Sequence, residues 1–449
     1  MAFDMTAAKE RLSSALDCAA AEFKPNTVVS VFKDGAPVLR KGYGTAKETD
    51  RFVMTLECDI FLSLMALLLI ERKKLRFSDK LSRYIPEYKH AGEITVRNLM
   101  DKKTGIRDFF YGEIMRRMDE ADSGISDEER RLRDTAASAK YYSIEEVLAL
   151  VGEAELEAKP GTEEQWGMAT EPFLRTVIER AAGKSLWEFA EENIFRPLGM
   201  KNTRRGGENI EYSVIFRNEK LLPFLPEQDN PYIFTTDPAD AERLLLGLFG
   251  GKLLSEKNYS MATDFRRVNE RWGFEHNDGF INTCFYFYGT LGSGVLYHDP
   301  GTGASAVVLS SEESRYIIGS NGSSRFFRKE MRGALSEIFT YPKDPKMVLY
   351  NKHNCIGAMN LEVSKEQLDF VDDAKTTICY AAGYPHHKVF VEEESGRAVG
   401  LLDLYVNKKK QQYEISIVLI DKRYQHRGFG KVMLRFAVDY LKAQGAKRL

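Results

Sequence analysis

The sequence predicts an α/β (α+β) protein of more than one domain, on three observations. Its 449 residues are too many for a single ordinary hydrophobic core. Segments that alternate with the period of a strand are interspersed with segments that repeat with the period of a helix. The run Tyr341-Pro342-Lys343-Asp344-Pro345 interrupts both patterns, because each proline lacks an N–H and restrains the residue before it. The expected organisation is a domain over 1–340, a linker over 341–346 and a second domain over 347–449.

Taken in order, Thr27 to Tyr43 alternates and turns at Asp34-Gly35, which predicts a β-hairpin. Helical periodicity follows from Ile60 to Lys74. Its most apolar part, Ile60 to Ile70, is far short of the roughly 20 residues that cross a bilayer, so a buried helix is expected. A short helix is predicted near Thr95 to Lys102. Arg116 to Lys140 is dense in both charge signs and poor in large apolar residues, as an exposed helical excursion or a mobile loop would be. A helix from Glu171 to Ala182 stops at Gly183. Strand-like runs return at Phe285 to His298, Ala304 to Ser310 and Arg315 to Gly319, before an amphipathic helix from Phe326 to Phe339. In the second domain a strand from Tyr413 to Ile420 and a helix from Gly428 to Gln444 are predicted. Lys408-Lys409-Lys410 reads as a solvated hairpin turn.

A hydrophobic fraction of 43%, a charged fraction of 29% and a net charge of −2 are those of a soluble globular chain. They exclude field-driven attraction to nucleic acid or to an anionic membrane. The five cysteines are scattered, odd in number and without CxxC spacing, so neither a disulfide framework nor a metal site is expected. The first residues, Met1 to Leu12, carry charge where a signal peptide needs an apolar run, and a cytoplasmic location is expected.

Framework segments of the first domain carry a family resemblance. They are Leu67 to Tyr88, Ile94 to Ile106, Pro160-Gly161-Thr162, and Val177 to Phe189 continuing to Arg196 through Thr203. In order and spacing these resemble the serine β-lactamase and penicillin-binding-protein superfamily, in its class C and esterase branch. The resemblance implies an α/β sandwich with a helical subdomain. It also implies a serine activated by a lysine one helical turn later, with a tyrosine as a further base. Counted back from Leu75, that S-x-x-K position falls on Leu56-Glu57-Cys58-Asp59, and the Y-x-N position falls on Trp166-Gly167-Met168. Leucine has no nucleophilic atom, aspartate is no cationic amine, and indole has no ionisable hydroxyl. Two literal matches are set aside: Ser30 to Lys33 spells S-x-x-K within the first hairpin, and Lys103-Thr104-Gly105 spells K-T-G at the wrong landmark. No K-T-G or H-x-G occurs near Asn282 to Gly294. Cys58 is expected to be structural, since no His or Lys adjoins it. A hydrolase frame without its chemistry is expected.

In the second domain, Gln425 to Lys431 (Q-H-R-G-F-G-K) lies between the predicted strand and the predicted helix. Unsatisfied N–H groups at a helix start favour a pyrophosphate, and Gly428 and Gly430 let it approach the backbone. With Val363 to Val371 and Gly396 to Tyr405, the segment resembles the GNAT N-acetyltransferase superfamily, in its diamine and polyamine branch. The resemblance implies a mixed-sheet domain that binds acetyl-CoA as co-substrate and needs no metal. Gln425, His426, Arg427, Gly428, Phe429, Gly430 and Lys431 would hold the pyrophosphate through backbone amides. Val418, Leu419 and Ile420 would pair with the pantetheine arm. The implied reaction moves an acetyl group to a small-molecule primary amine, which must lose a proton before it attacks. Glu414 is the candidate base, and an exposed strand glutamate is the alternative. Asp421 is expected to fix the turn before Gln425, while Asp369, Asp372 and Asp373 either steer a cationic amine or form solvated helix surface. The branch continues beyond the position of Leu449, so a C-terminally incomplete domain is expected, and with it either a homodimer completed across the open sheet edge or a loosely ordered domain that turns over poorly. The leading function is therefore an N-acetyltransferase fused to an inactive hydrolase-like domain. A ligand-binding protein without turnover is the alternative, and a serine hydrolase with an unrecognised nucleophile is the third.

Overall fold

The computed structural model describes residues 5–108, 141–164, 170–206, 213–215, 221–223, 231–265, 270–272, 274–277, 280–286, 293–310, 323–340, 345–364, 367–368, 371–394, 397–425 and 427–447. The expectations for Arg116 to Lys140, Trp166 to Met168, Arg315 to Gly319, Tyr341 to Asp344, Asp369 and His426 lie outside the described residues. Sixteen strands are described. They run β1 Thr27–Lys33, β2 Ala36–Tyr43, β3 Phe52–Thr55, β4 Arg204–Arg205, β5 Ser213–Ile215, β6 Leu221–Pro223, β7 Ile233–Thr236 and β8 Glu270–Arg271. Then come β9 Phe274–Asn277, β10 Phe280–Tyr286, β11 Ser293–His298, β12 Ala304–Ser310, β13 Lys346–Leu349, β14 His387–Glu394, β15 Arg397–Asn407 and β16 Gln412–Ile420.

The chain divides into two compact units. One comprises Ser13–His298 and Ser305–Glu330; the other comprises Met1–Leu12, Asp299–Ala304 and Met331–Leu449. The larger unit holds a seven-stranded sheet in the order β2-β1-β12-β11-β10-β9-β8. The predicted hairpin is β1 and β2, with Asp34 and Gly35 both at positive φ in its turn. The run Phe285 to His298 is not one strand: its first residues end β10, and β11 begins only at Ser293. The two strands pair antiparallel to each other, so they are not one continuous strand. Against this sheet lies the helix Asp59–Glu71, whose residues from Ile60 to Leu69 are all buried. That explains an apolar run with almost no amphipathic stripe: a helix buried on every side needs no polar face. Helix Thr170–Ala182 ends as expected, with Gly183 at φ +69° and its N–H donating to the Glu179 carbonyl at 2.8 Å.

In the smaller unit β13-β14-β15-β16 form an antiparallel sheet with helices on both faces. Val391, Leu401 and Leu419 pack with Ala358, Ile378 and Ala381 of the helices Cys355–Met359 and Ala374–Ala382. Phe390, Leu402 and Leu404 pack with Met433, Ala437 and Leu441 of the helix Phe429–Ala443. Residues 408–410 make the turn between β15 and β16. The register skips from Asp403 opposite Ile417 to Leu404 opposite Ile415, so Ser416 is an extra, bulged residue of β16. Among the described residues no helix is long and apolar enough to cross a membrane.

Candidate active sites

In the larger unit, the helix Asp59–Glu71 starts from Cys58, where the resemblance places a nucleophile and its amine. Leu56 is wholly buried there, and its N–H donates to the Tyr232 carbonyl at 3.0 Å. Asp59 pairs with Lys102 at 2.6 Å. Glu57 pairs with the buried Arg175, whose other nitrogen donates to the Tyr142 carbonyl at 2.8 Å. The same guanidinium lies 4.9 Å from the Tyr141 ring centre and 5.0 Å from that of Tyr232. Cys58 is buried and its thiol donates to the Thr55 carbonyl at 3.4 Å, while burial pushes its pKa up, away from the thiolate. Burial first, and then the charge of Asp59, raise the pKa of Glu171. The residues at this position are thus apolar filling and closed ion pairs.

The two set-aside motifs are structural. Ser30 and Lys33 both lie on β1, where residues three apart point to opposite faces. Lys103 to Gly105 form the loop after the helix Val96–Met100; Gly105 has φ +76°, and a Cβ on it would come 2.0 Å from the Ala158 carbonyl oxygen.

In the smaller unit, β16 runs into a turn held by Asp421. This fully buried carboxylate accepts from the Glu362 N–H at 3.0 Å and the Arg423 N–H at 2.9 Å, and it takes both arms of the Arg423 guanidinium. That is the turn-fixing part expected of it. The Gln425 amide then donates to the Ile420 carbonyl at 2.8 Å and to Gln367 Oε1 at 2.9 Å. Arg427 donates to the carbonyls of Thr340 at 3.1 Å and Arg423 at 2.7 Å, and Phe429 is buried against Val399 and Tyr424. Three of the expected cradle side chains therefore make contacts within the fold, while Lys431 is exposed.

Gly428 precedes the helix at φ +99°, and no acidic residue lies in the first turn. The first N–H groups of any helix lack an intrahelical acceptor. Beside them is a cavity of about 450 Å³ whose lining includes Val418, Leu419, Ile420, Gln425, Phe429 and Gly430. An anionic, elongated ligand such as acetyl-CoA fits this combination: glycine where a side chain is disfavoured, a helix start, no acidic residue in its first turn, and a strand end beside the cavity.

Glu414 is exposed and borders a different cavity, of about 940 Å³, on the part of β16 before the bulge. Asp372 also lines that cavity. Asp373 instead caps the helix Ala374–Ala382, accepting from the Thr376 N–H at 2.9 Å. Sequence reasoning missed the pair at the back of the cavity: His387 Nδ1 lies 2.6 Å from Asp403 Oδ2. Its members are 16 residues apart on neighbouring strands, a spacing with no motif to announce it.

Comparison with known proteins agrees with both units. The Beta-lactamase family model matches residues 18–336, and the chain belongs to that family. The Acetyltransferase (GNAT) family model matches residues 357–449, so the C-terminal region is a GNAT domain. "Protein flp" of Staphylococcus aureus (strain MW2) is 23% identical over 192 residues, covering 40% of this chain and 34% of the relative. A "D-aminopeptidase" of Brucella anthropi is 24% identical over 184 residues, 39% of this chain and 32% of the relative. The chain thus spans about a third of the length of the curated relatives it matches. Among solved structures, a penicillin-binding protein from Bacillus halodurans has a TM-score of 0.54 at 17% identity, covering 72% of this chain and 100% of its own. "EstCE1, a hydrolase with promiscuous acyltransferase activity" has a TM-score of 0.55 at 18% identity, covering 74% and 99%. These likenesses are to the fold.

Proposed function

We propose that the chain is an acetyl-CoA-dependent N-acetyltransferase for a small primary amine, with its chemistry in the GNAT domain. The observation that carries this reading is the cavity of about 450 Å³ where the end of β16 meets a helix start led by Gly428 at φ +99°. The amides at that helix start and Lys431 hold the pyrophosphate, and Val418 to Ile420 align the pantetheine arm. When bound, acetyl-CoA supplies the acyl group: a C–N bond forms, the thioester C–S bond breaks, and a proton from the nitrogen ends on the sulfur. The hydrolase-like unit takes no part in acyl transfer, since Leu56 and the Asp59–Lys102 pair stand where nucleophile and amine would be needed. Calorimetric titration with acetyl-CoA, followed by thiol release in the presence of putrescine or spermidine, tests the reading. No heat of binding and no thiol release with any amine would leave only a scaffold.

A further inference from the structure

The cavity of about 940 Å³ has the chemistry of a site for an organic cation. Asp403 and Glu414 line it with carboxylates, and Tyr380 and Tyr405 add aromatic faces. Asp403 is 2% exposed, and its Oδ1 has no hydrogen-bond partner among the described residues, although the other oxygen holds His387. A buried carboxylate oxygen left unpaired is costly, and a bound ammonium donor would satisfy it. The imidazole is fixed by more than this bond: its ring centre lies 5.3 Å from that of Tyr405 and 5.4 Å from that of Tyr380. With Asp403 ionised, Nδ1–H donates to it and Nε2 keeps the lone pair.

The cavity lining includes β16 as far as Ile417, and the lining of the proposed acetyl-CoA cavity begins at Val418, with bulged Ser416 beside the boundary. Asp403 is paired directly opposite Ile417. The pair thus lies one strand away from the residues of β16 at which one lining ends and the other begins.

We propose that His387, held by Asp403, is the proton acceptor for a primary ammonium ion bound in this cavity. The proposal rests on the acetyltransferase reading and replaces Glu414 as base. His387 Nε2 takes one proton from R–NH3+, which leaves R–NH2 with a free electron pair and a charged imidazolium. The imidazolium later gives that proton to solvent. Glu414 and Asp372, nearer the mouth, hold the second ammonium of a diamine. Other titrating groups around the ring are Tyr380 and Tyr384 on the helix side and His386 beside it on the chain. Tyr413 and Lys447 line the cavity further along.

The test uses the full chain labelled at histidine. Putrescine and spermidine are titrated without acetyl-CoA while the His387 Cε1–H resonance is followed through a pH series. Each amine is expected to move that resonance and to lower the pH at which it titrates. Asp403→Asn keeps the shape but turns the imidazole so that Nε2 carries the proton; His387→Gln removes the acceptor. Both should lower kcat about 100-fold or more and abolish the acidic limb of the pH profile. Acetyl-CoA affinity should stay within about twofold, which also shows that the variants fold. Glu414→Gln should raise the KM of the diamine and leave kcat nearly unchanged. A His387 resonance that ignores both amines, or variants with full kcat and an unaltered pH profile, overturns the proposal. A chain that fails to bind acetyl-CoA while its His387 still answers to the amine loses the acetyltransferase reading and keeps the amine site.

Discussion

Gly428 and Gly430 stand two residues apart in the same motif, yet the backbone treats them differently, and the difference can be measured. Gly428 has φ +99°, where an L-residue is strained by about 1–2 kcal/mol and a β-branched one by more. Gly430 lies inside the helix at ordinary φ, and a Cβ there would meet only Ile420 Cγ1, at 3.8 Å. Gly428→Ala should therefore lower the unfolding free energy of the GNAT domain by about 1–2 kcal/mol, while Gly430→Ala should raise it by up to roughly 0.5–1 kcal/mol. Binding should fall in both. In Gly428→Ala the first-turn amides shift, and losing one charge-assisted bond worth about 1.5–3 kcal/mol weakens acetyl-CoA roughly 10- to 150-fold. In Gly430→Ala a methyl group enters the cavity that Gly430 lines. Thermal melting by circular dichroism gives the first quantity and calorimetric titration the second. The reasoning fails if Gly428→Ala melts and binds like the parent, or if Gly430→Ala binds acetyl-CoA unchanged.

Three further outcomes are expected. Incubation with a β-lactam or a fluorophosphonate should leave the intact mass unchanged, and Leu56→Ser alone should not alter that, because Asp59 is no amine; a stoichiometric adduct would contradict the proposal for the larger unit. Arg175→Met should cost about 3–5 kcal/mol in urea unfolding by removing the guanidinium that pairs with Glu57, and the double variant with Glu57→Gln should recover much of it; additive losses would mean that the pair is not coupled. Glu392 is fully buried with neither oxygen hydrogen-bonded among the described residues, and burial, with Glu394 nearby, pushes its pKa up to about 8. The folded state then holds this proton after the unfolded chain has lost it, so stability falls as pH rises from near 4.5 to about 8. Glu392→Gln should be more stable than the parent at pH 8 and show no such gain at pH 4, by thermal melting.

What the sequence disclosed and what it hid follow one physical division. Backbone requirements leave local traces. A glycine is favoured where φ is positive, as at Gly183 and Gly428, and an apolar run is needed where a helix is buried on every side, as at Ile60 to Leu69. Those traces placed the hairpin, the long helices and the strand-turn-helix around Gln425. The departure from the family's motif was legible for the same reason: a framework at fixed spacing says where a serine is expected, and the count falls on Leu56. Side-chain partnerships that close only when strands pair leave no such trace. Asp59 finds Lys102, Glu57 finds Arg175, and His387 finds Asp403, at separations of 43, 118 and 16 residues. Helices cover both faces of β14 and β15, so their runs of buried residues carry no alternation against which an inward His or Asp would stand out. Glu414 was visible because it lies on the strand leading into the glycine motif, and it is exposed there. A group that must take a proton from an ammonium ion near neutral pH needs a partner holding one ring nitrogen so that the other stays free. Only the paired strands supply that partner, 16 residues away.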